Sequence, residues 1–192
     1  MSQRLRVFSP PTPSPKILTL LLLLGTIIAA AYAIQSGVSE PSSAGIIALS
    51  LLGPTMAAVD IRERRLPDIL TLLAGVAAIT GAVTVCALRE NWTPLGTATL
   101  SALIATGVFY LVALLSAGGF GLGDIKLIAV ITFATGLHGW RPVIYCLTAA
   151  FVLGAIVALI LRLTRSKTRE IPFGPFLVIT SIITGFITAA LG

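Results

Sequence analysis

Apolar residues gather into seven blocks, at positions 17–34, 44–59, 69–88, 97–117, 125–137, 143–161 and 173–191, and most charged residues fall between them. A hydrocarbon core takes about 20 helical residues at 1.5 Å each, so most of these blocks are long enough to cross one. Unpaired backbone groups are too costly in lipid, which makes helix the required conformation. The pattern therefore predicts an all-α fold, a polytopic membrane helix bundle of about seven transmembrane segments. The block at 44–59 is on the short side. The block at 125–137 has only 13 residues. It starts below the surface inside the bundle, or it extends into its polar flanks.

Ahead of the first block stands "MSQRLRVFSPPTPSPK", with four prolines and three basic residues. Residues 1–16 read as a disordered basic tail, and 17–34 as a transmembrane anchor. A cleaved signal peptide is the alternative, with "AYA" at 31–33 as its processing site. The apolar run of 18 residues exceeds the usual limit of about 15 and favours a retained helix. Residues 44–192 form the remaining membrane domain. Short loops argue for one bundle, and no internal repeat is visible.

Composition agrees. Apolar residues make up 56% of the chain and charged residues 10%, against about 25% charged in a soluble domain. The net charge of +6 is explained by topology. With the N-terminus inside, eleven basic residues face inward: Arg4, Arg6, Lys16, Arg62, Arg64, Arg65, Lys126, Arg162, Arg165, Lys167 and Arg169. Only Arg89 and Arg141 face outward. This is a clear positive-inside bias. It points to lipid headgroups as the partner of the basic clusters and not to nucleic acid. Cys86 and Cys146 lie inside apolar blocks in no paired spacing, so they read as buried thiols.

Of the seven acids, Glu40 and Glu90 fall in outer loops, while Glu63 and Glu170 sit among arginines, as solvated or ion-paired groups. Asp68 follows Pro67 and is expected to cap a helix. Asp60 and Asp124 are harder to explain blandly. Asp60 ends the second block, where the helix dipole disfavours a negative charge, unless Arg62 or Arg64 pairs with it. Asp124 starts the fifth block, where it could cap the helix with Lys126 as partner. Membrane-edge acids are functional candidates by default. A topology derived from basic residues alone puts both on the same side. Two carboxylates at matched depth can share a proton across a water, which is the requirement for aspartyl proteolysis. The ionised member takes a proton from water, and the protonated member polarises the scissile carbonyl. The helix ends suggest Asp124 as base and Asp60 as acid.

Gly118, Gly119, Gly121 and Gly123 precede Asp124 in "GGFGLGD". They allow positive φ and close approach of a substrate chain. A phosphate-binding loop is a poor fit, because the preceding strand and the following Lys-Ser/Thr are missing. Nothing in the chain implies a metal or organic cofactor, and the carboxylate pair needs only water.

These residues resemble a known family. "GLGDIKLIA" is similar to the GxGD signature of the type IV prepilin peptidases. "DIRERRLPDILTL" resembles the family's first catalytic-aspartate segment, and "IPFGPFLVI" its late Pro-Phe-Gly-Pro stretch. The resemblance covers the chain from about position 51 to 191. It implies an aspartic endopeptidase facing the cytoplasm, in the inner membrane of a prokaryote, with 44–192 as the peptidase domain. Its substrates would be prepilins or pseudopilins, cut between a short basic leader and the hydrophobic pilin helix. Asp60 and Asp124 match the catalytic pair, and Gly121 and Gly123 the motif glycines. Lys126 matches the residue two past the aspartate. Pro172, Phe173, Gly174 and Pro175 match the late motif and would shape the inner mouth. Bifunctional members carry a cysteine-rich domain and N-methylate the product. This chain has no paired cysteines, so it resembles the short, peptidase-only branch. Position 68 is Asp where many relatives have Asn.

Two other classes compete. A serine protease could use Ser116 and the single histidine, His138, but the topology puts them at opposite faces. His138 is more simply a loop residue beside Trp140. A small proton- or cation-coupled transporter would also suit paired acids, although no inverted repeat is visible. Intact aspartates argue against a non-catalytic assembly factor.

Overall fold

The computed structural model describes residues 15–36, 40–63, 66–115, 121–164 and 172–191. Outside them lie positions 1–14 of the proline tail and Ser116, Gly118 and Gly119. Arg64, Arg65, Arg165, Lys167, Arg169 and Glu170 also lie outside.

The seven apolar blocks become seven helices: α1 (Pro15–Ser36), α2 (Ser43–Glu63), α3 (Asp68–Leu88), α4 (Thr93–Leu115), α5 (Leu122–Gly136), α6 (Trp140–Leu163) and α7 (Gly174–Leu191). Among the described residues, six of these helices are long and apolar enough to cross a membrane, and the chain is a multi-pass membrane protein. The block at 44–59 gains residues at both ends and reaches 21. Its Pro54 sits inside the helix. Neighbouring helices re-satisfy the freed backbone group of such a proline in membrane bundles.

The short block becomes α5, which has 15 residues and a length of about 22 Å. It extends N-terminally as far as Leu122 and packs against α2, α3, α4, α6 and α7. Eight of its residues are buried, among them Leu127, Ile128, Ile131 and Thr132. A helix enclosed by protein need not match the thickness of the bilayer. Ser101 donates its hydroxyl hydrogen to the Thr132 carbonyl at 3.0 Å, and Thr97 donates to the Gly136 carbonyl at 3.0 Å. These bonds clamp α4 to α5 in a setting where small polar side chains hold helices together.

The core joins Tyr32 of α1, Leu49 and Met56 of α2, Leu127 and Ile131 of α5, and Leu177 of α7. Helix α1 is an integral member of this packing. A Cβ added at Gly25 would lie 2.4 Å from the Leu51 carbonyl oxygen, so the two backbones touch there. Tyr32 packs edge-on against Phe186, with ring centroids 5.3 Å apart, and Gln35 donates to the Phe186 carbonyl at 3.0 Å.

The chain runs up and down, so the ends of the helices form two rims. On one rim Glu40 pairs with Arg89 at 3.1 Å, as expected of ion-paired outer residues. There His138 also bonds through Nε2 to the hydroxyl of Ser42. His138 is indeed in a connection, between α5 and α6, but it faces inward to the start of α2. Cys86 and Cys146 are buried free thiols. The acids of interest lie on the other rim.

Candidate active site

Asp60 occupies the last turn of α2 and is 5% exposed. Its own helix end disfavours its charge, but a second helix end meets it. Helix α7 begins at Gly174, whose backbone N–H has no partner within its own helix. That N–H donates to Asp60 Oδ2 at 3.0 Å. The positive end of α7 thus faces the carboxylate that the negative end of α2 carries. Arg62 had been one expected partner of Asp60. The hydrogen bond to Gly174 holds Asp60 instead, and Arg64 lies outside the described residues.

Asp124 lies in the first turn of α5. Gly121 is the N-cap in extended conformation, with φ −71° and ψ 137°. The N–H groups of Asp124 and Ile125 both donate to its carbonyl, at 3.1 and 3.3 Å. The carboxylate folds back over this cap, since a Cβ at Gly121 would stand 3.3 Å from Asp124 Oδ2. A side chain at 121 would crowd that oxygen.

Both aspartates line one cavity of about 290 Å³, together with Leu66, Asp68, Gly121, Leu122, Gly123 and Lys126. The arrangement brings two carboxylates, 64 positions apart in the chain, to a single cavity at one rim of the bundle.

Two expectations about neighbouring charges are corrected. Asp68 does not cap α3, because Pro67 is the N-cap and no side-chain cap bond forms. Lys126 does not partner Asp124. Its ammonium reaches across to Asp68 Oδ1 at 2.8 Å. The reason is geometric: Asp124 and Lys126 are two apart on one helix and do not share a face, whereas Asp68 starts the helix alongside. In the late motif, Gly174 touches Asp60, while Pro172, Phe173 and Pro175 do not line the cavity. Phe173 instead packs against Phe151 of α6 at 4.9 Å between centroids, and so helps to set where α7 begins.

Leu66 is a part of the site that no sequence motif singles out. It is buried between α5 and α7. A Cβ at Gly123 would stand 3.2 Å from Leu66 Cβ, and one at Gly174 would stand 3.1 Å from Leu66 Cδ2. Both glycines are needed for this close fit. The available signal was a lone apolar residue in the polar connection "RERRLPD".

Residues 46–159 match the family model described as type IV leader peptidase family. The match includes Asp60 and Asp124, and α7 lies beyond it. The chain is 30% identical over 144 residues to a prepilin leader peptidase/N-methyltransferase of Xanthomonas campestris pv. campestris, covering 74% of this chain and 49% of that protein. It is 35% identical over 71 residues to leader peptidase HopD of Escherichia coli, covering 35% of this chain and 44% of that protein. The chain spans about half the length of the curated relatives it matches. No solved structure matches it.

Proposed function

The chain belongs to the type IV leader peptidase family, and from that premise we propose that it is a membrane aspartic endopeptidase. It removes the leader from type IV prepilin or pseudopilin precursors at the cytoplasmic face of the inner membrane. The observation that carries this reading is the shared cavity of Asp60 and Asp124.

The chemistry uses one proton held between the two carboxylates. The ionised carboxylate of the pair takes a proton from a water in the cavity, and the water oxygen attacks the scissile carbonyl carbon. The protonated partner gives its proton to the carbonyl oxygen as the tetrahedral intermediate forms. On collapse the first carboxyl returns its proton to the departing amine nitrogen as the C–N bond breaks, and the second takes one back from the diol, which restores the pair. Asp60 spends Oδ2 on Gly174 and keeps Oδ1 for this work. Gly121 and Gly123 line the cavity, and their lack of side chains gives the Asp124 carboxylate and Leu66 their places beside it. Lys126 lines the cavity and Gly174 holds Asp60, while Pro172, Phe173 and Pro175 support the start of α7 behind it. The peptidase activity alone is proposed for this chain, as its resemblance to the short branch of the family implies; its two cysteines are separate buried thiols.

The test is co-expression with a candidate prepilin, following loss of its leader by gel shift and the product's N-terminus by mass. Asp60→Asn and Asp124→Asn should each abolish cleavage while the protein still accumulates in membranes. Normal cleavage by either variant would sink the proposal. A product heavier by one methyl group, formed by the purified chain with a methyl donor, would overturn the peptidase-only part.

A further inference from the structure

The catalytic cavity does not end at Asp68 and Lys126. Both residues also line a second and larger cavity, of about 480 Å³, on the far side of their ion pair. This furrow follows α3 from Asp68 past Gly75 and Val76 to Ile79, and Ala129 and Val130 of α5 form its floor. Beyond, a smaller cavity of about 190 Å³ continues from Gly75 and Ile79 toward Ala102 and Phe133. From Asp68 to Ile79 is about 16 Å of helix, or three turns. Apart from Thr71, the furrow is apolar past its first rim, and it opens sideways to lipid: Val76 is 49% and Ile79 51% exposed.

We propose that this furrow receives the apolar helix that follows the scissile bond, entering laterally from the bilayer. The proposal rests on the prepilin-cleaving reading of the cavity. A chain cut between Asp60 and Asp124 must leave the cavity on some side. On the side of α7, Gly174 bonds to Asp60 and packs beside Leu66, and no described residue of α7 lines the cavity. On the side of α3, the cavity runs on into the furrow. The order of surfaces also suits such an occupant, with polar groups at the bond to be cut and apolar walls for the helix beyond it. The Lys126–Asp68 pair straddles the junction. Both side chains are more than half exposed, at 56% and 69%, so the pair is weak and parts readily for a passing chain.

The experiment uses the full chain in membranes and two substrates: a whole prepilin, and a short peptide that spans the junction but lacks the helix. Val76→Trp fills the furrow from an exposed position, and Ile156→Trp on α6 is its control. The furrow predicts that Val76→Trp slows cleavage of the whole prepilin by about tenfold or more, while the short peptide is cut at the unaltered rate. Ile156→Trp should change neither. Cysteine cross-linking supplies an independent readout. With Asp124→Asn present to block turnover, single cysteines along the prepilin helix should cross-link to Val76→Cys and not to Ile156→Cys. If unaltered protein cuts the prepilin but no helix position cross-links to Val76→Cys, the furrow holds lipid only and the proposal is overturned. It is equally overturned if Val76→Trp cuts the whole prepilin at the normal rate. Failure of the unaltered protein to cut either substrate would instead remove the prepilin reading itself.

Discussion

The carboxylate of Asp60 accepts the backbone N–H of Gly174, 114 positions later, at 3.0 Å. One bond thus satisfies the first free N–H of α7 and joins it to the last turn of α2. It makes the position of one catalytic candidate depend on where α7 begins.

Gly174→Ala should therefore damage the site. Its new Cβ would stand 2.7 Å from Asp60 Oδ2 and 3.1 Å from Leu66 Cδ2. Neither neighbour is free to withdraw, so the entry of α7 must shift. We expect a loss of about 1–3 kcal/mol in stability from overpacking and a fall in prepilin cleavage of at least about tenfold. Gly107→Ala is the control, because a Cβ there meets nothing within 4 Å. Thermal unfolding in detergent and cleavage rates compare the two variants. Equal activity in both would refute the argument.

Asp60 carries a structural role beside its chemical one, and two substitutions separate them. Asp60→Asn keeps an oxygen for the Gly174 N–H, so its melting temperature should stay close to the unaltered value while cleavage is lost. Asp60→Ala leaves a buried N–H without its acceptor, which costs about 1–3 kcal/mol. Equal thermal stability of the two variants would show that the bond contributes nothing to the fold.

The Lys126–Asp68 pair should matter little to stability. Both side chains are largely exposed, and such pairs contribute under about 1 kcal/mol. Lys126→Met should shift chemical unfolding by no more than that. A larger loss would mean that Lys126 has a further partner in the folded protein.

At the opposite rim, His138 gives stability a pH dependence. Burial holds its pKa below the ordinary value of 6.5, with Glu40 opposing in part. The folded state therefore favours the neutral ring that bonds to Ser42. As pH falls below 6.5 the unfolded chain binds a proton first, so this contribution is present at neutral pH and lost toward acid. His138→Gln keeps a polar partner for Ser42 without the titration. Melting temperatures between about pH 7.5 and 5 should fall less in the variant. Parallel profiles would contradict the assignment.

The helices were largely legible in the sequence. Apolar blocks at 69–88 and 173–191 became α3 and α7 almost residue for residue, because length and hydropathy alone decide what crosses lipid. The rim shared by Asp60 and Asp124 was legible from the placement of arginines. Ion pairing was not. The sequence suggested Lys126 for Asp124 because they are neighbours in the chain, yet helical geometry turns them apart, and the packing of α3 beside α5 supplies Asp68. Leu66 was hidden for the same reason, since its partners Gly123 and Gly174 lie far along the chain.

The sequence by itself determined that this chain is a helical membrane protein with two acids on one rim and glycines beside one of them. Those are local properties, set by runs of residues and by the bias of charge across a bilayer. Only the tertiary structure decided that the two acids line one space, that α7 turns its free N–H toward Asp60, and that the space continues into an apolar furrow along α3. These depend on how closely helix backbones approach, which is fixed by small residues meeting across interfaces between distant segments. In lipid no hydrophobic force draws helices together, so that close fit sets the arrangement.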